Sequence, residues 1–448
     1  MVIIKREYYN KKVKEALRML PVVVLIGARQ VGKTTIMNNY EYDKSTLFLN
    51  GQNPEIIELF SKYSLIENYL KLNLNLQLDG YLLIDEFQFI SGISTIIKLL
   101  TDNNKNLKII ATGSSSLDII QKAEESLAGR VRMINVYSLS FPEYIKFYDE
   151  TLYEIYKKYD SFTNDKIINK EIKILELNYL NYGGLPRVAL VKNNNEKIAL
   201  LNDIYQTYLL RDVKAYVKNE DSVGFNKMLR LLSSQIGNLL NVNELSRTSG
   251  LSYKKTLDYL YLLEQMFILK QLDPYYSNKK NTITKMKKLY FYDLGMRNII
   301  YNSFNDITIR VDNGAIFENY VFLELIKNTQ SVSILNFYRT RDGAEVDFVL
   351  DNLVEKKSFE AKFRHFDKAV KFKSLNDFNS SENIKASYLV NLNLNVEHND
   401  VHYIQSCLIS KILYDHPNEE THAAIEDARK SKLKKADSAS ELCKELGI

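Results

Sequence analysis

Cysteine is scarce: the 448 residues hold two, Cys407 and Cys443. Two cannot make a disulfide framework, so a reducing compartment is expected. Long apolar runs are missing as well. The longest, Pro21 to Gly27, falls far short of the roughly 20 residues a membrane helix needs. The opening MVIIKREYYNKK is charged from Lys5 and carries no apolar signal core. Nor does charge of one sign dominate. Against 55 Asp and Glu stand 60 Lys and Arg, a net +5, so any nucleic-acid surface must be local rather than a bulk property. Low net charge with 45% hydrophobic and 11% aromatic residues excludes intrinsic disorder. The length predicts two to four domains at roughly 100–200 residues each, and the whole reads as a soluble cytoplasmic chain.

What is present begins with a phosphate-binding pattern. Pro21 to Ile26 is a β-branched run without a polar break, as in a buried parallel strand. It leads into Gly27-Ala28-Arg29-Gln30-Val31-Gly32-Lys33-Thr34-Thr35, which fits G-x-x-x-x-G-K-[ST]. Glycines let the backbone curl so that successive N–H groups face a phosphate, and the following helix adds its positive N-terminus. Lys33 is expected on the β- and γ-phosphates and the Thr34 hydroxyl on Mg²⁺, with ATP as the nucleotide. About fifty residues on, Tyr81 to Ile84 is a second apolar strand, ending in Asp85 and Glu86. Such an Asp holds Mg²⁺ directly or through water, and such a Glu polarises the attacking water. A third strand, Leu107 to Thr112, runs into Gly113-Ser114-Ser115-Ser116, with Thr112 and Ser114 as candidates for a polar group beside the γ-phosphate.

With these motifs, a strand at Ser45 to Leu49 and the stretches Leu127-Ala128-Gly129-Arg130, Ser138 to Tyr144 and Tyr182-Gly183-Gly184-Leu185-Pro186, the chain resembles a large prokaryotic family of AAA+ ATPases with a nuclease-like C-terminal domain. The resemblance runs from about residue 5 to about 415. It implies ATP binding and hydrolysis, and it makes Arg130 the candidate for answering the γ-phosphate, in cis or from a neighbouring subunit, because guanidinium spreads charge over phosphate oxygens.

The middle of the chain reads as a winged helix. Asn243 to Gly250 precedes a helix opened by Ser252-Tyr253-Lys254-Lys255, with a predicted apolar stripe of Leu257, Leu260, Leu263 and Phe267 and a candidate wing near Lys279-Lys280-Asn281. Tyr253, Lys254 and Lys255 then stand where DNA contacts are made. Further on, Glu345 and Asp347 alternate with Val346, Phe348 and Leu350, and Glu360 and Lys362 alternate with Phe359, Ala361 and Phe363, as a hairpin joined through Asp351 to Ser358. This resembles the PD-(D/E)xK nuclease core, which implies Mg²⁺ on Asp347 and Glu360, with Glu318 as a further ligand from the preceding helix. Lys362 would orient the attacking water.

The expected architecture is α/β: a P-loop AAA+ parallel-sheet domain (1–145), a helical lid and linker (146–215), a winged helix-turn-helix (216–290), a nuclease-like α/β domain (291–415) and a tail (416–448). From Thr421 the tail turns Ala-rich, with a capping box at Ser438 to Glu441. It resembles the end of RelB/DinJ-type antitoxins over fewer than thirty residues, and a protein partner is expected there. A homo-oligomer is also expected. The favoured function is a Mg²⁺-dependent ATPase that drives or gates the C-terminal module. The alternatives are a nucleotide-gated binding protein with an inactive nuclease-like scaffold, and an ATP-licensed DNA nuclease.

Overall fold

The first apolar strand of the sequence lies inside a sheet, with a strand on each side, and is buried along its whole length. In the computed structural model, which describes residues 4–75, 77–114, 127–158, 166–213, 216–275, 286–329, 333–340, 343–352, 355–382, 384 and 386–413, that strand is β1 (Val22–Gly27). Before it comes α1 (Glu7–Met19), and after it α2 (Lys33–Asn38), β2 (Thr46–Asn50), α3 (Pro54–Leu59), α4 (Tyr63–Asn73), β3 (Gly80–Asp85), α5 (Ile93–Asn103), β4 (Leu107–Ser114) and β5 (Val131–Asn135). The five strands are parallel in the order β2-β3-β4-β1-β5. Alternate residues of β1 serve two cores. Val23 and Leu25 pack with Tyr9 and Val13 of α1, while Val22, Val24 and Ile26 pack with Ile97 and Leu100 of α5. That double burial is why the strand needs an unbroken apolar run.

A helical region follows: α6 (Phe141–Tyr148), α7 (Glu150–Lys158), α8 (Lys166–Tyr182), α9 (Pro186–Ala189) and α10 (Asn194–Ile204). Next come α11 (Ser222–Ser234), α12 (Val242–Ser249), α13 (Tyr253–Gln265) and the antiparallel pair β6 (Leu269–Leu272) and β7 (Lys288–Phe291). Gly250 turns the chain between α12 and α13 at φ 78°, and the Ser252 hydroxyl caps α13 by accepting from Lys255 N at 3.3 Å. The expected stripe on α13 is corrected at two places: Leu260 and Leu263 are buried, but Leu257 is 41% exposed, with Thr256 and Tyr259 buried instead, and Phe267 lies beyond the helix end at φ 53°.

The last unit holds α14 (Leu294–Tyr301), α15 (Asn313–Asn328), β8 (Ile334–Arg339), β9 (Glu345–Asp351), β10 (Lys356–Ala361), α16 (Lys373–Glu382), β11 (Ala386–Asn391), β12 (Val396–His398), β13 (Val401–Gln405) and α17 (Ile409–Leu413). Its sheet runs β12-β13-β11-β10-β9-β8. β9 pairs antiparallel with β10, and the connection is shorter than expected because the strands reach Asp351 and Lys356. Against β8, β9 carries one extra residue between Val346 and Val349, a bulge that falls at Asp347 and Phe348. Strict alternation fails there: Val346 and Val349 share one core cluster, and Phe348 and Leu350 another.

The units are packed into one another. α15 is buried almost all round and sends two charged side chains into the first unit. Glu324 accepts from Phe141 N at 2.9 Å, and the Lys327 ammonium donates to Ser138 Oγ, Leu139 O and Tyr179 Oη at 3.0, 2.9 and 2.7 Å. Among the described residues no helix is long and apolar enough to cross a membrane. Ser115 and Ser116, the Lys279–Asn281 wing and the tail from 416, with Cys443, lie outside the described residues.

Candidate nucleotide site and carboxylate cluster

Parallel pairing brings the C-terminal ends of β1, β3 and β4 to one edge, and the P-loop lies there. Gly27 ends β1 so close to the Val136 carbonyl that a Cβ would lie 2.1 Å from its oxygen, which explains a glycine on steric grounds alone. Gly32, at φ 94°, precedes α2. Lys33, 6% exposed, turns its ammonium onto the loop's own carbonyls, 2.9 Å from Gly27 O and 2.8 Å from Ala28 O. Burial pulls its pKa down to about 8, although Glu86 and Asp85 act to raise it. The Thr34 hydroxyl donates to Asp85 Oδ1 at 2.8 Å across 51 residues of sequence. Glu86, the next residue, takes a left-handed conformation at φ 52° and is held by the Gln88 amide. Thr112 also donates to Asp85 Oδ1 and accepts from Glu86 N at 3.2 Å. It is fully buried and braces Asp85, in place of the phosphate contact expected of it. Ser114 pairs with Gly27 in the sheet, so its backbone lies beside the loop.

Two motifs met in the sequence act as braces behind this loop. The Arg6 guanidinium donates to Val31 O of the P-loop at 2.9 Å and to Tyr137 O at 2.8 Å, and it grips Glu143 with two hydrogen bonds of 2.8 and 2.6 Å. Glu143 also closes the capping box with Ser140. At Gly183, φ 74°, a Cβ would lie 2.2 Å from the Asp293 carboxylate, which accepts from Gly184 N at 2.9 Å. Beside the loop lies a shallow, largely apolar cleft, with walls that include Ala28, Val31, Leu185, Phe267, Asp293 and the stacked pair Tyr137 and Tyr292.

Arg130 requires a correction. It immediately precedes β5, and Val131 pairs with Val22, so it stands at the opposite end of β1 from the P-loop, five strand residues or roughly 17 Å away. There it grips Asp102 at 2.6 Å, which excludes a cis contact with a phosphate on its own P-loop. Lys255 is corrected too: its ammonium is committed to Asp221 and Glu220 at 2.7 and 2.9 Å, leaving Tyr253 and Lys254 exposed at the start of α13.

In the last unit Glu318 of α15, Asp347 of β9, Glu360 of β10 and Lys362 just beyond it form one cluster, with Asp347 and Glu360 buried and Glu318 and Lys362 partly exposed. Asp347 Oδ2 accepts from Ala361 N at 2.9 Å, tying β9 to β10, and Lys362 pairs with Glu360. At the centre stands a residue that sequence reading missed. Lys288 of β7, 2% exposed, places its ammonium 2.9 Å from Glu318 Oε1 and 3.6 Å from Asp347 Oδ1, and in contact with Glu345 Oε1. Tyr290, two residues on, donates to Glu318 Oε1 at 2.6 Å. Burial works against the Lys288 charge, but Glu318, Asp347 and Glu345 outweigh it and raise its pKa. For Glu318 and Glu360 burial wins, with the Asp347 charge adding to it, and both are pushed upward. As they stand, these side chains do not fit the Mg²⁺ expected on them. Among the described residues no group of three or more His, Cys, Asp and Glu side chains could hold a metal ion, and here an ammonium stands among the carboxylates.

Residues 20–145 match the family model described as AAA domain, 175–306 that of a domain of unknown function (DUF8612), and 313–408 that of another (DUF4143). The first unit is thus a P-loop domain of the AAA type, an ATP-binding ATPase fold. The chain is similar to an uncharacterized protein of Mycobacterium tuberculosis, 24% identical over 364 residues, which are 81% of this chain and 74% of that one. It is also similar to one of Methanocaldococcus jannaschii, 25% identical over 354 residues, 77% of this chain and 76% of the relative. Among solved structures, a Walker-type ATPase of Pyrococcus abyssi superposes with a TM-score of 0.42 at 16% identity, covering 67% of this chain and 96% of its own.

Proposed function

We propose that the chain is a Mg²⁺-dependent ATPase whose nucleotide state gates the C-terminal carboxylate–lysine module. The observation that carries this is the meeting of Thr34 and Asp85 at 2.8 Å, from two distant segments, with Glu86 one residue beyond. A hydroxyl beside a carboxylate is the donor set that Mg²⁺ takes next to nucleotide phosphates. Bound there, Mg²⁺ neutralises charge on the phosphate oxygens. Lys33 leaves its two carbonyls for phosphate, because an ammonium gains more from an anion than from neutral dipoles. Glu86 orients the attacking water, and Gln88 fixes that carboxylate until phosphate and water are in place.

The cleft supports the gating half of the reading. Its far wall is built by Phe267, Tyr292 and Asp293, and Tyr292 directly follows the strand that carries Lys288. For the module itself, Lys288 among the carboxylates favours a nucleotide-gated scaffold over a nuclease in this conformation. DNA is the proposed partner, through Tyr253 and Lys254 on a winged-helix-like unit, and Arg130 reaches a phosphate only on a second copy of the chain.

Glu86→Gln in the full chain is expected to bind ATP as the wild type does while turnover falls by about 10²–10⁴-fold. Wild-type turnover in that variant removes Glu86 from the chemistry. An absence of Mg²⁺-dependent turnover in the unaltered chain leaves nucleotide-gated binding as the function.

A further inference from the structure

The carboxylates of the last unit are served by a cation from outside their own sheet. Lys288 belongs to β7, the short strand paired with β6, and its side chain crosses to Glu318 on α15 and to Glu345 and Asp347 on β9. Three acids from two elements converge on one nitrogen, at the position where oxygens of this kind would otherwise enclose a hard divalent ion. A second observation points to a cation at the same place. Glu360 is 6% exposed, and its Oε2 is buried with no hydrogen-bond partner, while Lys362 takes only Oε1. Glu360 lies within electrostatic reach of both Asp347 and Glu318. An unpartnered buried carboxyl oxygen is costly unless a proton or a positive charge reaches it. Four carboxylates (Glu318, Glu345, Asp347, Glu360) therefore share two buried or half-buried lysines, Lys288 and Lys362, with Arg339 gripping only the outer edge of Glu345 at 3.0 Å. The cluster has more carboxyl oxygen than its lysines satisfy, and the Lys288 ammonium stands among the acids where a metal ion would have to sit.

We propose that Lys288 is a tethered cation held in the metal position of this cluster, so that the carboxylates take a divalent ion only when Lys288 withdraws. A lysine can do this because its long flexible stem reaches the site from a neighbouring unit and its ammonium is a compact point charge. Unlike a free ion, it supplies one charge rather than two and cannot be washed out. The proposal rests on the reading of these carboxylates as a metal-binding set, and the experiment separates the two.

Mn²⁺ binding is measured by calorimetry and electron paramagnetic resonance on the full chain without nucleotide, for the wild type, Lys288→Met, Lys288→Gln, and each variant combined with Asp347→Asn. The wild type is expected to show no Mn²⁺ site that depends on Asp347. Both single variants should gain one site at least about tenfold tighter than any the wild type shows, and Asp347→Asn should abolish it. Wild-type binding that Asp347→Asn removes overturns the role of Lys288 while leaving the metal-binding reading intact. Failure of both Lys288 variants to bind Mn²⁺ overturns both. Should the variants lose their fold without metal, the same idea requires Mn²⁺ to restore their thermal transition, and variants that stay unfolded with Mn²⁺ count against it.

Discussion

Two lysines, Lys33 and Lys288, are almost equally buried, and each stands beside carboxylates, but they hold opposite kinds of partner. Lys33 donates to two main-chain carbonyls, which are neutral dipoles, and its pKa is pulled down. Lys288 is bound by three carboxylates, and its pKa is raised. An ammonium resting on carbonyls is under-served and stands to gain from an incoming phosphate. An ammonium among carboxylates already has its counter-ions, and moving it strands them. The same residue type is thus poised for a ligand at one site and committed to the fold at the other.

That contrast can be broken by experiment. Lys33→Ala is expected to abolish ATP binding, a loss beyond about 100-fold, since a charged hydrogen-bonded contact with phosphate carries several kcal/mol. Its stability to urea should fall by no more than about 2 kcal/mol. Unchanged affinity in calorimetry, or a stability loss as large as that of the Lys288 variant, erases the distinction. Lys288→Met should show the reverse pattern, with ATP affinity retained and unfolding in urea at neutral pH easier by about 3–5 kcal/mol, the cost of leaving buried carboxylates unpaired. A neutral effect there means the carboxylates take up protons or repack without it. The smallest effect is expected at Arg130, whose partner Asp102 lies at the far end of the sheet from the P-loop. Arg130→Ala should leave both ATP affinity and turnover of the monomeric chain unchanged. Turnover that drops only at concentrations where copies associate would bring Arg130 back as a residue acting in trans.

The nucleotide site was legible because its parts are local. The P-loop spans nine residues, and Asp85 and Glu86 follow an apolar strand with nothing between. Parallel pairing of both β1 and β3 with β4, which lies between them, then brings their C-terminal ends to one edge. In the last unit the alternation of Glu345, Asp347, Glu360 and Lys362 with apolar residues identified the strands, but not the bulge in β9, which depends on pairing with β8. Lys288 was hidden for a different reason. It sits in a run with Lys285 and Lys287 that reads as solvated charge, and its partners follow 30 to 59 residues later. The alternation of Lys288 and Tyr290 with Leu289 and Phe291 was the available signal, and a four-residue strand is too short to give it weight. Buried charges such as Glu324 and Lys327 are illegible for the same reason, because each is explained by a partner in another unit.

The position of β7 has a practical consequence for dissecting the chain. Its residues Lys288 and Tyr290 complete the acidic cluster, while Tyr292 and Asp293 just beyond it line the cleft beside the P-loop. A cut between the regions matched at 175–306 and 313–408 separates Lys288 from all of its carboxylates. The C-terminal fragment would then carry its acids with Lys362 and Arg339 but without Lys288, and on the proposal above it would collect metal ions from the buffer. Any cleavage seen with such a fragment would be a property created by the scissors, and only the full chain can report whether the module is ever unlocked.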